Sequence, residues 1–327
     1  MKLRRRPHLR TPALLLTAAL ALSGCGALSE GGADTGDGVQ VVTAFYPLQY
    51  VAGRVAGDLA DVTNLTQPGG EPHDLDIDPR ATGQIVDADV VVHETGFQPA
   101  VDSSVEANAT GEVVDAAEVV DLRSLEDEDT DEHGDEHGDD HGDEEHTADD
   151  GHGHSDLDPH FWQDPLRMAD LGDAVAESLS AVDPDNAETY TANADDLRAD
   201  LEALDASYSE TLSGCERQTV VVSHDAFGYL TKYGLVMEPI AGLSPDAEPT
   251  PADLARLQDL ITSDGITTVF AERLGTTKIA DSLASDVGVA TAVLDPIEGL
   301  SDETADQDYL SLMESNLAEL AEANGCS

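Results

Sequence analysis

The feature that most constrains this fold is a long helical run over residues 184–212, with alternating β-like and helix-like segments on either side. Within it Tyr190, Leu197, Leu201, Leu204, Tyr208 and Leu212 recur at spacings of three, four and seven, the period of one helix face. Asp183-Pro184 supplies a cap and a first-turn proline, and Ser213-Gly214 a stop. At 1.5 Å per residue such a helix reaches roughly 40 Å, enough to cross a whole domain. Before it, residues 39–45, 62–66 and 89–93 read as strands, and 47–57, 79–87 and 165–181 as helices. After it, 219–223, 235–240, 267–271 and 289–294 read as strands, and 226–233, 251–263, 276–286 and 303–323 as helices. This alternation predicts parallel βα units. The expected fold class is α/β: lobes over 39–183 and 213–327, joined by the 184–212 helix, with a site in the cleft between them.

One stretch fits neither pattern. Residues 126–158 read EDEDTDEHGDEHGDDHGDEEHTADDGHGHSDLD, with six histidines (His133, His137, His141, His146, His152 and His154) among seventeen acidic residues. It lacks the apolar surface to offset chain ordering and is expected to be a mobile loop. Imidazole and carboxylate together suit zinc and its divalent neighbours, which makes the loop an accessory metal collector. The alternative is an acidic solubilising segment whose histidines are incidental. Carboxylates crowding these histidines favour imidazolium, so the loop's affinity is expected to be modest and to fall with pH.

The first 24 residues place the chain outside the cytoplasm. Lys2, Arg4, Arg5, Arg6 and Arg10 form a cationic region, and residues 13–22 a short apolar one, as in a cleaved signal. Leu22-Ser23-Gly24-Cys25 resembles a bacterial lipobox, in which Cys25 carries the lipid anchor, and residues 25–38 read as a flexible tether. Of the three cysteines, lipidation of Cys25 leaves Cys215 and Cys326, either as a disulfide or as two buried thiols. Removing the five basic residues of the signal moves the net charge from -53 to -58. So acidic a body excludes nucleic acid and anionic membrane surfaces as partners and draws cations.

Four side chains stand where strands give way to loops, the place where α/β sheets gather ligands. His73 lies in GGEPHDLDIDP, His160 in DPHFWQDP, His224 ends VVVSH, and Asp295 ends VATAVLD. Singly each reads as a loop residue in ordinary hydrogen bonds. Together, three imidazoles and one carboxylate make a complete tetrahedral zinc set.

The segments EPHD, DPHFWQDP, SHDAFGYL and VFAERLGTTKIADSLA resemble the metal-binding lipoproteins of bacterial ABC importers for zinc and manganese, the cluster A-I, ZnuA/TroA-like solute-binding proteins. The resemblance runs from Val39 to the end of the chain. It implies His73, His160, His224 and Asp295 as metal ligands and an ABC permease with its ATPase as partners; with the lipobox, the expected protein is a monomer tethered by lipid to the extracellular or periplasmic face of the cell membrane. It also implies zinc over manganese, because manganese members tend to carry a carboxylate where His224 stands, and a third imidazole is softer. Asp158, Asp164 and Asp225 are expected to accept imidazole N–H bonds, Glu272 to pair with Arg273 or support a ligand, and Trp162 and Phe227 to pack beside the site. The chain departs from the family pattern at HETGFQPAVD, leaving His93 as a strand-end residue or an extra polar group near the cleft. Two other functions remain: a surface adhesin or metal buffer, and a zinc hydrolase. The last would need an open coordination position, and no HExxH is present.

Overall fold

The computed structural model describes residues 38–125, 157–274 and 277–327. The expectations for the signal segment, for Cys25, for the tether up to residue 37 and for the six loop histidines lie outside these residues. In the first half the chain runs β1 (Val39–Thr43), α1 (Tyr46–Ala56), β2 (Ala60–Asn64), α2 (Pro79–Asp87), β3 (Val90–His93), α3 (Pro99–Asn108), β4 (Glu112–Asp115) and a short α4 (Ala116–Val119). The strands form one parallel sheet in the order β2-β1-β3-β4. Val41, Val42, Val90, Val91 and Val92 are buried, as central parallel strands covered on both faces must be. Asp78 caps α2 by accepting from Ala81 N–H, with Pro79 in the first turn, where its missing N–H costs nothing.

A two-residue antiparallel pair, β5 (Arg123–Ser124) with β6 (Leu157–Asp158), closes the base of the acidic segment. Then come α5 (Pro165–Val182), capped by Asp164, and α6 (Ala187–Leu212). The expected 184–212 helix opens as a separate 3-10 turn at Pro184–Asn186, because the Asp183 carboxylate binds both Asn186 Nδ2 and Tyr190 Oη and tightens the entry. Tyr190, Ala194, Leu197, Leu201, Leu204, Tyr208 and Leu212 form the buried seam of α6 against α5, α1 and the closing helix.

The second half holds β7 (Thr219–Val222), a 3-10 segment (Gly228–Tyr233), β8 (Val236–Pro239), α7 (Pro251–Asp264), β9 (Thr268–Ala271), α8 (Lys278–Val287), β10 (Ala290–Val293) and α9 (Tyr309–Asn324). Its sheet, β10-β9-β7-β8, is again parallel. Taken in chain order, the two sheets share one topology, each with its first strand between the second and third. The closing helix expected from 303 starts only at Tyr309, where Asp308 and Ser311 form a reciprocal cap. Cys215 and Cys326 are joined in a disulfide that ties the end of α6 to the end of α9. Among the described residues no helix is long and apolar enough to cross a membrane.

Candidate metal centre

Both sheets reverse strand order beside their first strands, and side chains just beyond the carboxyl ends of strands there meet in a crevice. His224 follows β7 and Glu272 follows β9, the two neighbours at the second sheet's reversal. His73 lies in the long loop after β2, and His160 begins the short helical turn Phe161–Gln163 after β6.

The structure brings His73, His160 and His224 together, and the fourth member is Glu298, not Asp295. The Nε2 atoms of His73, His224 and His160 lie 3.3, 3.3 and 3.6 Å from a single atom, Glu298 Oε1. One ligand atom from each of the four residues falls within 4.8 Å of every other. A tetrahedral zinc with bonds of about 2.0–2.1 Å has ligand-to-ligand edges of about 3.3 Å, so the spacing fits with little adjustment. The Nε2 atoms of His160 and His224 are buried without a hydrogen-bond partner, an arrangement that a bound cation would satisfy.

The other ring nitrogens are held. His160 Nδ1 is 2.9 Å from Asp158 Oδ1, which also accepts from the His160 backbone N–H, and His224 Nδ1 is 2.5 Å from Glu272 Oε1. Each carboxylate directs Nε2 inward. Of the anticipated carboxylate partners, Asp158 and Glu272 contact cluster imidazoles. Asp164 instead caps α5 and binds Lys232. Trp162 and Phe227 are buried, and the Trp162 ring stands 5.2 Å from that of His160. His93 is buried, is not a member of the cluster, and has its Nδ1 3.3 Å from Asp102 Oδ1.

Burial lowers the His160 pKa, leaving its imidazole neutral and ready to ligate. Burial also works against charge on His224, but Glu272 and Glu298 on either side outweigh it and raise that pKa to about 10. Burial alone would raise the Glu298 carboxyl. The nearby His224 and His73 overcome it and hold Glu298 well below the usual carboxylate range. His73 keeps 13% of its side-chain surface exposed, against 0% for His160 and His224 and 2% for Glu298, so it is the cluster member nearest solvent. A recess of about 300 Å³ adjoins there, with Glu71, Asp74, Asp246 and Glu272 in its wall, and its acidity favours cations.

Asp295 has a different role. It is buried, and its Oδ2 accepts from Arg273 Nε at 3.1 Å, which also removes Arg273 from the expected pairing with Glu272. Its Oδ1 accepts from Ile297 N–H at 2.9 Å, closing a turn in which Ile297 adopts φ 62°. Among the described residues Ile297 is the one non-glycine at positive φ, and the turn delivers Glu298 into the cluster. The Pro296 carbonyl in the same turn accepts from Trp162 Nε1 and Gln163 Nε2, locking it to the His160 motif. The one sequence signal for Glu298 was a second carboxylate on the same loop, three residues beyond the strand-end Asp.

Comparison with known proteins decides the family. The model described as zinc-uptake complex component A, periplasmic (ZnuA) matches residues 41–323. The chain belongs to the ZnuA family. It is 35% identical over 313 residues to the high-affinity zinc uptake system protein ZnuA of Bacillus subtilis, covering 93% of this chain and 94% of that one. It is 34% identical over 289 residues to the zinc-binding lipoprotein AdcA of Streptococcus pneumoniae, covering 86% of this chain but only 55% of AdcA, so it spans about half the length of that relative. The crystal structure of the Zn(II)-bound ZnuA-like domain of Streptococcus pneumoniae AdcA superimposes with a TM-score of 0.70 at 32% identity, over 88% of this chain and 99% of that one. The ZnuA-type α/β architecture is thus common to the sequence relatives and the structural neighbours.

Proposed function

We propose that this protein captures Zn²⁺ outside the cytoplasm and delivers it to the permease of an ABC importer driven by its ATPase. Zinc is the cargo, held by His73, His160, His224 and Glu298. The observation that carries this reading is the convergence of three imidazole Nε2 atoms on one carboxylate oxygen, two of the rings being held from behind by carboxylates. Family membership supports it. Three nitrogens and one oxygen favour zinc over manganese, whose preferred ligands are oxygens. The protein is a binding protein and not an enzyme, as its family membership supports, and four protein ligands would fill a tetrahedral shell. Cys25 anchors the monomer to the membrane by lipid, and the histidines between 133 and 154 collect zinc weakly beside the centre.

The test is the metal content and chelator-competition affinity of the mature protein and two variants. His160→Ala is expected to lose tight one-to-one binding while keeping its far-ultraviolet circular dichroism. Deletion of residues 126–156 is expected to keep one tight zinc and lose only weaker sites. Unchanged affinity in His160→Ala would refute the assignment of this centre.

A further inference from the structure

The carboxylate behind His160 is itself held from across the acidic segment. Asp158 is fully buried, and its Oδ1 serves the His160 ring and backbone. Its Oδ2 accepts from Arg123 Nη2 at 2.9 Å, from a residue 35 positions earlier. Arg123 and Asp158 face each other in the β5–β6 pair. At that rung the Tyr229 hydroxyl accepts from Arg123 N–H at 2.9 Å and donates to the Asp158 carbonyl at 2.7 Å, bridging the two strands. The Arg123 guanidinium also lies 5.8 Å from the Tyr229 ring centroid.

Gly228 completes the seat. A Cβ at this position would meet the Arg123 guanidinium and lie 2.6 Å from Asp158 Oδ2. The segment that supplies His224 therefore also supplies, four and five residues later, the floor and clamp of the ion pair behind His160.

We infer that Arg123 is a positioning residue for the metal centre, fixing the Asp158 carboxylate so that it orients the His160 imidazole. A buried carboxylate without a cation is costly and would turn, hydrate or take up a proton. Arg supplies a permanent charge and a directed N–H donor. With one oxygen on Arg123 and the other on His160, the carboxylate plane is fixed at both ends, and the imidazole plane with it. Neither Arg123 nor Tyr229 is a ligand. The inference rests on His160 binding the metal, as proposed above.

The test uses the full mature protein and three variants: Arg123→Gln, which removes the charge; Arg123→Lys, which restores it without the fork; and Gly228→Ala, which keeps every charge and displaces the guanidinium sterically. Zinc affinity is measured by chelator competition, and the His160 Nδ1–H resonance of the zinc-loaded protein by ¹⁵N-edited NMR. Arg123→Gln and Gly228→Ala are expected to weaken zinc binding by about 10–100-fold, the usual effect of losing a partner behind a ligand. The His160 Nδ1–H resonance should broaden or vanish in both, and Arg123→Lys should recover part of each. Wild-type affinity in Arg123→Gln, or weakened affinity with the Nδ1–H resonance intact, would overturn the inference. Should Arg123→Gln fail to fold, Gly228→Ala and Arg123→Lys decide on the same two readouts. If His160→Ala binds zinc like the wild type, the reading of the centre fails and takes this inference with it. If His160→Ala loses zinc while the Arg123 and Gly228 variants keep it, only the inference fails.

Discussion

Zinc capture at this centre is expected to release one proton per ion near pH 8, from His224 Nε2. Without the ion His224 sits between Glu272 and Glu298 with a pKa raised to about 10, so at pH 8 it carries a proton. His160, whose pKa burial lowers, is already neutral there, and Glu298, held well below the carboxylate range, has no proton to give. Zinc needs the Nε2 lone pair, while the bond to Glu272 retains the proton on Nδ1. The metal-free state therefore binds one more proton than the zinc-bound state. Affinity must rise with pH, about tenfold per unit between pH 7 and 9, and level off above about pH 10. Calorimetry in two buffers of different ionisation enthalpy and low zinc affinity counts the protons directly. His224→Asn should bind more weakly and release none at pH 8. Release of about zero protons by the wild type, or an affinity flat from pH 7 to 9, would refute the argument that Glu272 and Glu298 together charge this imidazole.

Three other expectations follow from particular contacts. Glu298→Ala should weaken zinc binding by more than the roughly 10–100-fold typical of an outer partner, whereas Asp295→Asn, which keeps an oxygen for Ile297 N–H, should stay within that range; the reverse order would make Asp295 the ligand. Glu94 is fully buried with both carboxylate oxygens unpartnered, and burial together with Asp158, Asp115 and Asp102 raises its pKa well above normal. The folded state therefore keeps a proton that the unfolded state loses above about pH 4.5, so this group costs roughly 1 kcal/mol of stability per pH unit above that value, until its folded pKa is reached. Glu94→Gln should thus melt higher than wild type at pH 8 and close to it at pH 4, and equal melting shifts at both would exclude ionisation as the cause. The Cys215–Cys326 bond spans 111 residues, and replacing both cysteines by Ala should cost about 2–5 kcal/mol in denaturant unfolding. Zinc affinity should not change, because the bridge lies before the start of β7 and His224 beyond its far end; a large affinity loss would show that the two ends of the lobe are coupled.

What could be read from the sequence follows a physical division. Runs such as VVVH and TVVV declare themselves as buried parallel strands through composition alone, and the α6 seam through its period. His224 sits at a strand end and His160 inside the compact DPHFWQDP motif, so these two are located by local pattern, whereas His73 lies in the long loop after β2. The α3–β4 unit went unread because HETGFQPAVD interrupts the apolar pattern, and β4 exposes two of its four residues. Arg123 was hidden for another reason: a two-residue strand has no period, and its partner lies across the acidic segment.

Glu298 joins the cluster by a route that local sequence preference does not show. Its position depends on a β-branched residue in the left-handed region, a conformation that local preference opposes. Such a residue costs on the order of 1–3 kcal/mol and persists only where its surroundings over-determine it. They do so here: Ile297 is fully buried, its N–H is bound by Asp295, and the preceding carbonyl accepts from both Trp162 and Gln163. Asp295 is in turn held by Arg273 and, through its backbone, by Asn316. The strand-end carboxylate thus shapes the turn, and the carboxylate three residues later reaches the imidazoles. These contacts are all within the protein and none needs the ion, so the turn itself can hold the carboxylate toward the imidazoles. Binding need not order this loop, and the free energy of the Glu298 contact can go into holding the ion.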